Sequence, residues 1–125
     1  MKINLVSICV SDPLEEFRFY TQVLGFVEQL YMPEAYLAIV ASPEEPQGTG
    51  LLLEPNENPI ASTYQQALYA AGLPAIVFGV VDIQAEYARL VAAGVVFTQQ
   101  PTQSEWGTQA ILEDGFGNLI QLHQL

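Results

Sequence analysis

The sequence predicts an α+β fold: two tandem βαβββ modules that form a curved mixed sheet around a cleft. Three observations carry this. Residues 3–26, INLVSICVSDPLEEFRFYTQVLGF, recur from Pro74 as PAIVFGVVDIQAEYARLVAAGVVF, displaced by 70 residues with one residue deleted inside the helix. Within each copy the apolar pattern switches from period two to a three- and four-residue step. A glycine then stops each helix, at Gly25 and at Gly94. The pairs Val6/Ile76, Ile8/Phe78, Val10/Val80, Asp12/Asp82, Phe17/Tyr87 and Tyr20/Leu90 align across the two copies.

In order along the chain, residues 3–10 alternate, with Val6, Ile8 and Val10 on one face and Leu5, Ser7 and Cys9 on the other. Ser11 or Asp12 caps the helix that follows, and Pro13 takes its first position, where a missing N–H costs nothing. Glu15 and Glu16 fall at the positive end of the helix dipole. Leu14, Phe17, Tyr20 or Val23, and Leu24 make one apolar stripe over residues 13–24. Residues 26–31 and 36–41 suit strands, joined tightly by Met32-Pro33-Glu34. SPEEPQGT is loop, and residues 51–54 form a short apolar strand ending at Pro55. Residues 56–60 read as a polar joint. A linking helix is expected over 63–71, ending at Gly72.

The second module is expected as a strand over 75–81, a helix over 83–93 capped by Asp82, and strands over 95–99, 108–113 and 119–123. Asp114-Gly115-Phe116-Gly117-Asn118 has the residues of a hairpin turn. The division is thus one domain over 1–125: module one 1–55, linker 56–73, module two 74–125. If the helices cover the Val6/Ile8/Val10 and Ile76/Phe78/Val80 faces, the opposite faces line the cleft. They carry Leu5, Ser7, Cys9, Leu52, Glu54, Ala75, Val77, Gly79, Leu119, Gln121 and His123.

Three basic residues stand against fourteen acidic ones, for a net charge of −11. Such a chain repels phosphate backbones and anionic lipid, so neither nucleic acid nor a membrane is expected as partner. The acidity serves solubility and, if it bears on ligands at all, favours cationic or neutral ones. No run approaches the ~20 apolar residues of a membrane span. The single cysteine, Cys9, cannot close an internal disulfide, and the N-terminus goes straight into a strand. A cytoplasmic location is the simplest expectation. High apolar content and open sheet edges predict a two-fold homodimer, against a monomer whose two halves close the cleft alone.

Paired modules with VSD…FY…VLGF near the start and DGFGNLIQL near the end resemble the vicinal oxygen chelate superfamily. That group includes glyoxalases, extradiol dioxygenases and bleomycin-resistance proteins, and the resemblance covers essentially the whole chain. Metal enzymes of the superfamily place up to four ligands on the concave face. Carried over by register, these positions are Leu5, Glu54, Ala75 and Gln121. Leucine and alanine offer a metal no lone pair, and two oxygen donors fall short of the three protein ligands usual at a catalytic ion. The resemblance therefore implies a metal-free small-molecule-binding protein of the glyoxalase/bleomycin-resistance type, with no cofactor and a cationic or aromatic ligand. The alternative is a glyoxalase-like lyase or isomerase with Glu54 as general base at an atypical metal site.

The candidate ligand-binding residues are Ser7, Glu54, Trp106, Gln121 and His123. Glu54 is either a buried carboxylate with a raised pKa or a solvated strand-end charge. His123, the only histidine, shares a strand face with Gln121, as half of a ligand pair or as a rim residue. Ser7 and Cys9 have no histidine near them in sequence and read as small residues that make room. Trp106 lies in the polar run TQSEWGT and reads as a lid or a subunit contact. Tyr36, Tyr64, Tyr69 and Phe116 are expected in the core or an interface.

Overall fold

In a computed structural model that describes residues 1–125, the duplicated sequence gives a duplicated structure. The first module runs β1 (Leu5–Val10), α1 (Pro13–Arg18), β2 (Val27–Met32), β3 (Leu37–Ala41) and β4 (Gly50–Pro55). After the linking helix α2 (Pro59–Ala70), the second runs β5 (Ile76–Gly79), α3 (Ile83–Ala92), β6 (Phe97–Ser104), β7 (Gly107–Glu113) and β8 (Leu119–Gln124). Each module folds its strands into a four-stranded mixed sheet, in the orders β1-β4-β3-β2 and β5-β8-β7-β6. The β1–β4 and β5–β8 pairs are parallel and the rest antiparallel. Contacts divide the chain into two compact units, Met1–Thr63 and Tyr64–Leu125, so the division falls inside α2.

The helix starts form as expected. Asp12 Oδ1 accepts from the N–H groups of Leu14 and Glu15 at 3.1 and 3.2 Å, and Asp82 Oδ1 from that of Ala85 at 3.1 Å. Each satisfies donors that the first turn of a helix leaves without an intrahelical partner. The one-residue difference between the copies has a physical form. Past Arg18 the helix widens into a π-helical segment, Phe19–Leu24, closed by Gly25 in the left-handed conformation (φ 95°). An extra residue fits inside a helix as such a widened turn. The stop is thereby conserved in the fold, with Gly94 at φ 90° in the second copy.

Helix α1 packs over β3 and β4, and α3 over β6, β7 and β8. Their apolar stripes bury Phe17 and Tyr20 in the first module, and Ile83 and Leu90 in the second. Phe17 stacks on Tyr31 of β2 at 4.3 Å between ring centroids, and Tyr87 meets Phe97 of β6 edge-on at 4.7 Å. The sheet faces beneath supply Ile8, Val10, Val40, Leu51 and Leu53, then Ala110, Leu112, Ile120 and Leu122.

Three expectations need correction and one needs an addition. Val6 is 44% exposed and not covered by α1, because the helix sits over the middle of its sheet and leaves the start of the edge strand bare. Glu16 is in the first turn of α1 as expected but is also fully buried, a feature the dipole argument did not foresee, because it shares the inward side of α1 with Pro13 and Phe17. The joint at 56–60 is already helical from Pro59. Asn58 Oδ1 accepts from Ile60 N at 2.8 Å, so Pro59 sits in the first turn of the helix behind an asparagine cap. Finally, β6 continues to Ser104, and the expected loop around Trp106 is the tip of a tight β6–β7 hairpin.

Substituting Asp12→Ala and Asp82→Ala singly should each lower stability by about 1 kcal/mol in urea denaturation, with Asp12 the costlier because it holds two N–H groups. Equal and negligible losses would show that packing alone sets the helix starts.

Candidate functional site

Each sheet has a face turned away from its own helix, and the candidate residues lie there. In the first module β1 and β4 are in parallel register, with Ser7 opposite Leu52 and Cys9 opposite Glu54. Ile39 of β3 pairs with Leu52, and Leu30 of β2 with Ile39. This face is therefore built from Leu5, Leu30, Met32, Ile39 and Leu52, with Ser7, Cys9 and a carboxylate along one edge. Leu5, Leu30 and Met32 are exposed.

Glu54 is exposed, which removes the desolvation on which its expected role as a base rested. Its charge is felt by its neighbour instead. Burial, and then the Glu54 carboxylate, push the Cys9 thiol above its usual range and hold it protonated. Ser7 is exposed on the same strand.

At the far end of this module Tyr36 follows a short 3-10 turn, Pro33–Ala35, with left-handed backbone (φ 55°). It is the only non-glycine residue in that region, where a side chain costs energy. Its phenol is raised above the ordinary value by desolvation, then by the charges of Asp12 and Glu57, and it hydrogen-bonds Asp12. The hairpin end is thus tied to the cap of α1. Tyr36, Tyr64 and Tyr69 are all exposed and are not core residues.

The second module presents a different surface. On β8, Leu119, Gln121 and His123 share one face, opposite the buried Ile120 and Leu122. Gln121 pairs with Val77 and with Ile111, and His123 with Gly79 and Gln109. His123 Nε2 lies 2.8 Å from the Trp106 carbonyl oxygen. A carbonyl only accepts, so Nε2 carries the proton and Nδ1 remains an acceptor when the ring is neutral. That bond pins the tip of the β6–β7 hairpin while the Trp106 residue itself stays 76% exposed. Gly107 makes the approach possible: at φ 121° it lies where a Cβ would collide with the Gln124 backbone oxygen.

Linking helix α2 is anchored to this module at two points one turn apart. Gln65 Nε2 donates to the Phe116 carbonyl at 3.0 Å, and the Tyr69 hydroxyl donates to Glu113 Oε1. That hydrogen bond and the charge of Glu113 raise the Tyr69 phenol above its ordinary value. Buried Asp114 organises the turn beneath, accepting from Phe116 N, Asn118 N and Asn118 Nδ2 at 2.7 to 3.0 Å.

The structure thus groups Ser7 with Glu54 in one module, and Gln121, His123 and Trp106 in the other. It adds two residues that the sequence reading missed, Gln99 and Gln109. Gln121 Nε2 donates to Gln109 Oε1, and Gln109 Nε2 to Gln99 Oε1, each at 3.4 Å. Alternation along β7 was enough to place Gln109, but not Gln99: period two puts it on the Phe97 face, and only the bulge between the two turns it to the Ile111 side.

A family model for the glyoxalase/bleomycin resistance protein/dioxygenase superfamily matches residues 2–122. The chain belongs to that superfamily. It is 47% identical over 126 residues to the protein YurT of Bacillus subtilis (strain 168), covering 99% of each chain. Among solved structures it is similar to UcmS2, with a TM-score of 0.80 at 27% identity over 98% of this chain and 97% of that one. It is also similar to TnmS3, an antibiotic-binding protein from Streptomyces sp. CB03234. There the TM-score is 0.75 at 26% identity, over 99% of this chain and 95% of the other.

The metal that many superfamily enzymes use does not fit the residues present. Leu5 and Ala75 stand at two of the four ligand positions, and no three His, Cys, Asp or Glu side chains cluster closely enough to hold an ion.

The Cys9–Glu54 pairing is testable by alkylation. Glu54→Gln removes the nearby negative charge, so the thiol pKa falls and thiolate becomes more abundant at pH 8. Iodoacetamide labelling of Cys9 should then accelerate by about threefold. An unchanged rate would place Glu54 too far from the thiol to matter.

Proposed function

We propose that this protein is a metal-free small-molecule-binding member of its superfamily, holding its ligand on the sheet faces turned away from the helices. One observation carries the reading: the ligand positions of the metal enzymes are filled by Leu5, Glu54, Ala75 and Gln121, a set that forfeits two donors. The similarity to an antibiotic-binding protein points the same way. So does the exposure of Leu5, Leu30 and Met32 beside a few polar groups, the mixture from which binding sites are built. The ligand is small and aromatic or otherwise planar, matched to a floor of aliphatic side chains. A lyase or isomerase reading with Glu54 as base is weaker, because Glu54 is exposed.

The same reading includes a homodimer. Edge strands β2 and β6 are guarded: each has an irregular register, β2 carries Glu28, and β6 carries Pro101. Edge strands β1 (LVSICV) and β5 (IVFG) have no charge, proline or bulge, and they expose Leu5, Val6 and Val77. Unprotected apolar edges recruit another chain, and a second copy is the partner always at hand. No helix is long and apolar enough to cross a membrane, and a lone cysteine held as a thiol suits the reducing cytoplasm.

Two measurements bear on this. Native mass spectrometry of the purified protein, with and without added Ni²⁺, Zn²⁺ or Mn²⁺, should show a retained organic molecule and no stoichiometric metal. An ion bound one to one would refute the metal-free reading. In light scattering the protein should run at twice its 13.7 kDa chain mass, and Val6→Lys or Val77→Lys should shift it toward the monomer. A parent protein already at the single-chain mass would end the dimer proposal.

A further inference from the structure

We infer that linking helix α2 is a strap that opens as a unit of its own, and that the β7–β8 turn at residues 114–118 is the catch that holds it closed.

The sequence of α2, PIASTYQQALYA, does not by itself explain why the helix is there. It has 12 residues, and isolated helices of that length are marginal in water. It carries no charged side chain, so no ion pair one turn apart supports it. Tertiary packing does not supply what is missing. Unlike α1 and α3, α2 has no extended packing against any strand. Its one buried residue, Gln65, is polar; Leu68 is half-buried, and Ile60, Tyr64 and Tyr69 are exposed. An element with so little apolar burial lies at the low-stability end of a protein, where segments open without the rest. What holds α2 is then its ends and its side-chain bonds to the second module. Asn58 caps the start, and Gly72, with left-handed backbone (φ 72°), follows the last turn.

The catch is built for those bonds. Buried Asp114 gathers Phe116 N, Asn118 N and Asn118 Nδ2 onto its carboxylate, which fixes the turn. The Phe116 carbonyl of that turn accepts from Gln65 Nε2 at 3.0 Å. Gly117 keeps the space for it: a Cβ there would lie 2.7 Å from Gln65 Nε2. One helical turn further on, the Tyr69 hydroxyl donates to Glu113, the residue that leads into the turn. A carboxylate acceptor makes this the stronger of the two bonds. Both bonds leave α2 from the same side, as positions four apart do on a helix. Because α2 runs through the boundary between the two compact units, its opening frees the chain that connects them. Closed, its 12 residues span about 18 Å; unwound, they reach up to roughly 40 Å. The catch thus sets how much free chain lies between the modules.

Hydrogen exchange of the full-length protein, read by mass spectrometry on peptides from α2 and from both sheets, tests this. In the unaltered protein the α2 amides should exchange faster than those of β4 and β8. Tyr69→Phe removes the bond to Glu113 and should speed α2 exchange about tenfold, with sheet amides changed by less than about twofold. Two glycines of the turn give a sharper comparison. Gly115→Ala and Gly117→Ala both put a side chain on left-handed backbone (φ 81° and 95°), but nothing lies within 4 Å of a Cβ at Gly115. Gly117→Ala should therefore speed α2 exchange about tenfold, and Gly115→Ala by less than about twofold. Chymotrypsin nicking at Tyr64 and Leu68 should rise in the same order, since it follows the open population. Equal effects of the two glycine substitutions on α2 would overturn the catch. So would an unchanged α2 rate in Tyr69→Phe. Exchange of α2 in step with the second sheet, in either protein, would overturn the separate opening. Should a glycine variant fail to fold by circular dichroism, Tyr69→Phe decides.

Discussion

A single short helix must hide one face of a four-stranded sheet in each half of this protein, and the contact that makes this possible is aromatic. Phe17 and Tyr87 occupy equivalent turns of α1 and α3, and each reaches a ring on the second strand of its own module, Tyr31 or Phe97. Such pairs contribute about 0.5–1.5 kcal/mol beyond the area they bury. Their position matters more than their energy. They hold the helix across the sheet, over β3 and β4 or over β6 to β8, and not along the strand that precedes it. Everything else in the module follows from that placement: which strand faces become core, which stay uncovered, and why the start of β1 stays bare.

The two halves share a scaffold and differ in what they display. The far face of the first sheet is apolar, with Leu5, Leu30, Ile39 and Leu52 meeting a single carboxylate and a protonated thiol. That of the second carries linked amides and the histidine that fixes the Trp106 hairpin. Duplication followed by such divergence yields two kinds of surface from one architecture.

Much of this was legible in the sequence. The repeat at a 70-residue displacement, the Asp caps and the glycine stops specify both modules, because these are local signals that tertiary packing reinforces. The strand faces could be read from alternation, and with them Gln121 and His123 as neighbours on one face. Other features depend on what a residue meets across space. Glu16 looks like a dipole-facing surface charge until the sheet covers its side of α1. Gln99 and Gln109 look like ordinary strand glutamines until β6, β7 and β8 align and their amides meet. Pro59 was misread for a different reason: proline both ends helices and begins them, and only the Asn58 cap tells the two apart.

The widened turn at Phe19–Leu24 bears on how such a chain tolerates change in length. A residue added to a regular helix rotates everything after it by about 100 degrees, which would swing the return strand off its register. Taken up in the looser coil, the addition leaves Gly25 and β2 where the sheet requires them. The helix acts as a slack segment, able to gain or lose a residue without the faces on either side being renegotiated. Insertions of one residue in the first half of this fold should therefore survive in the widened turn that follows α1 and fail in the strands.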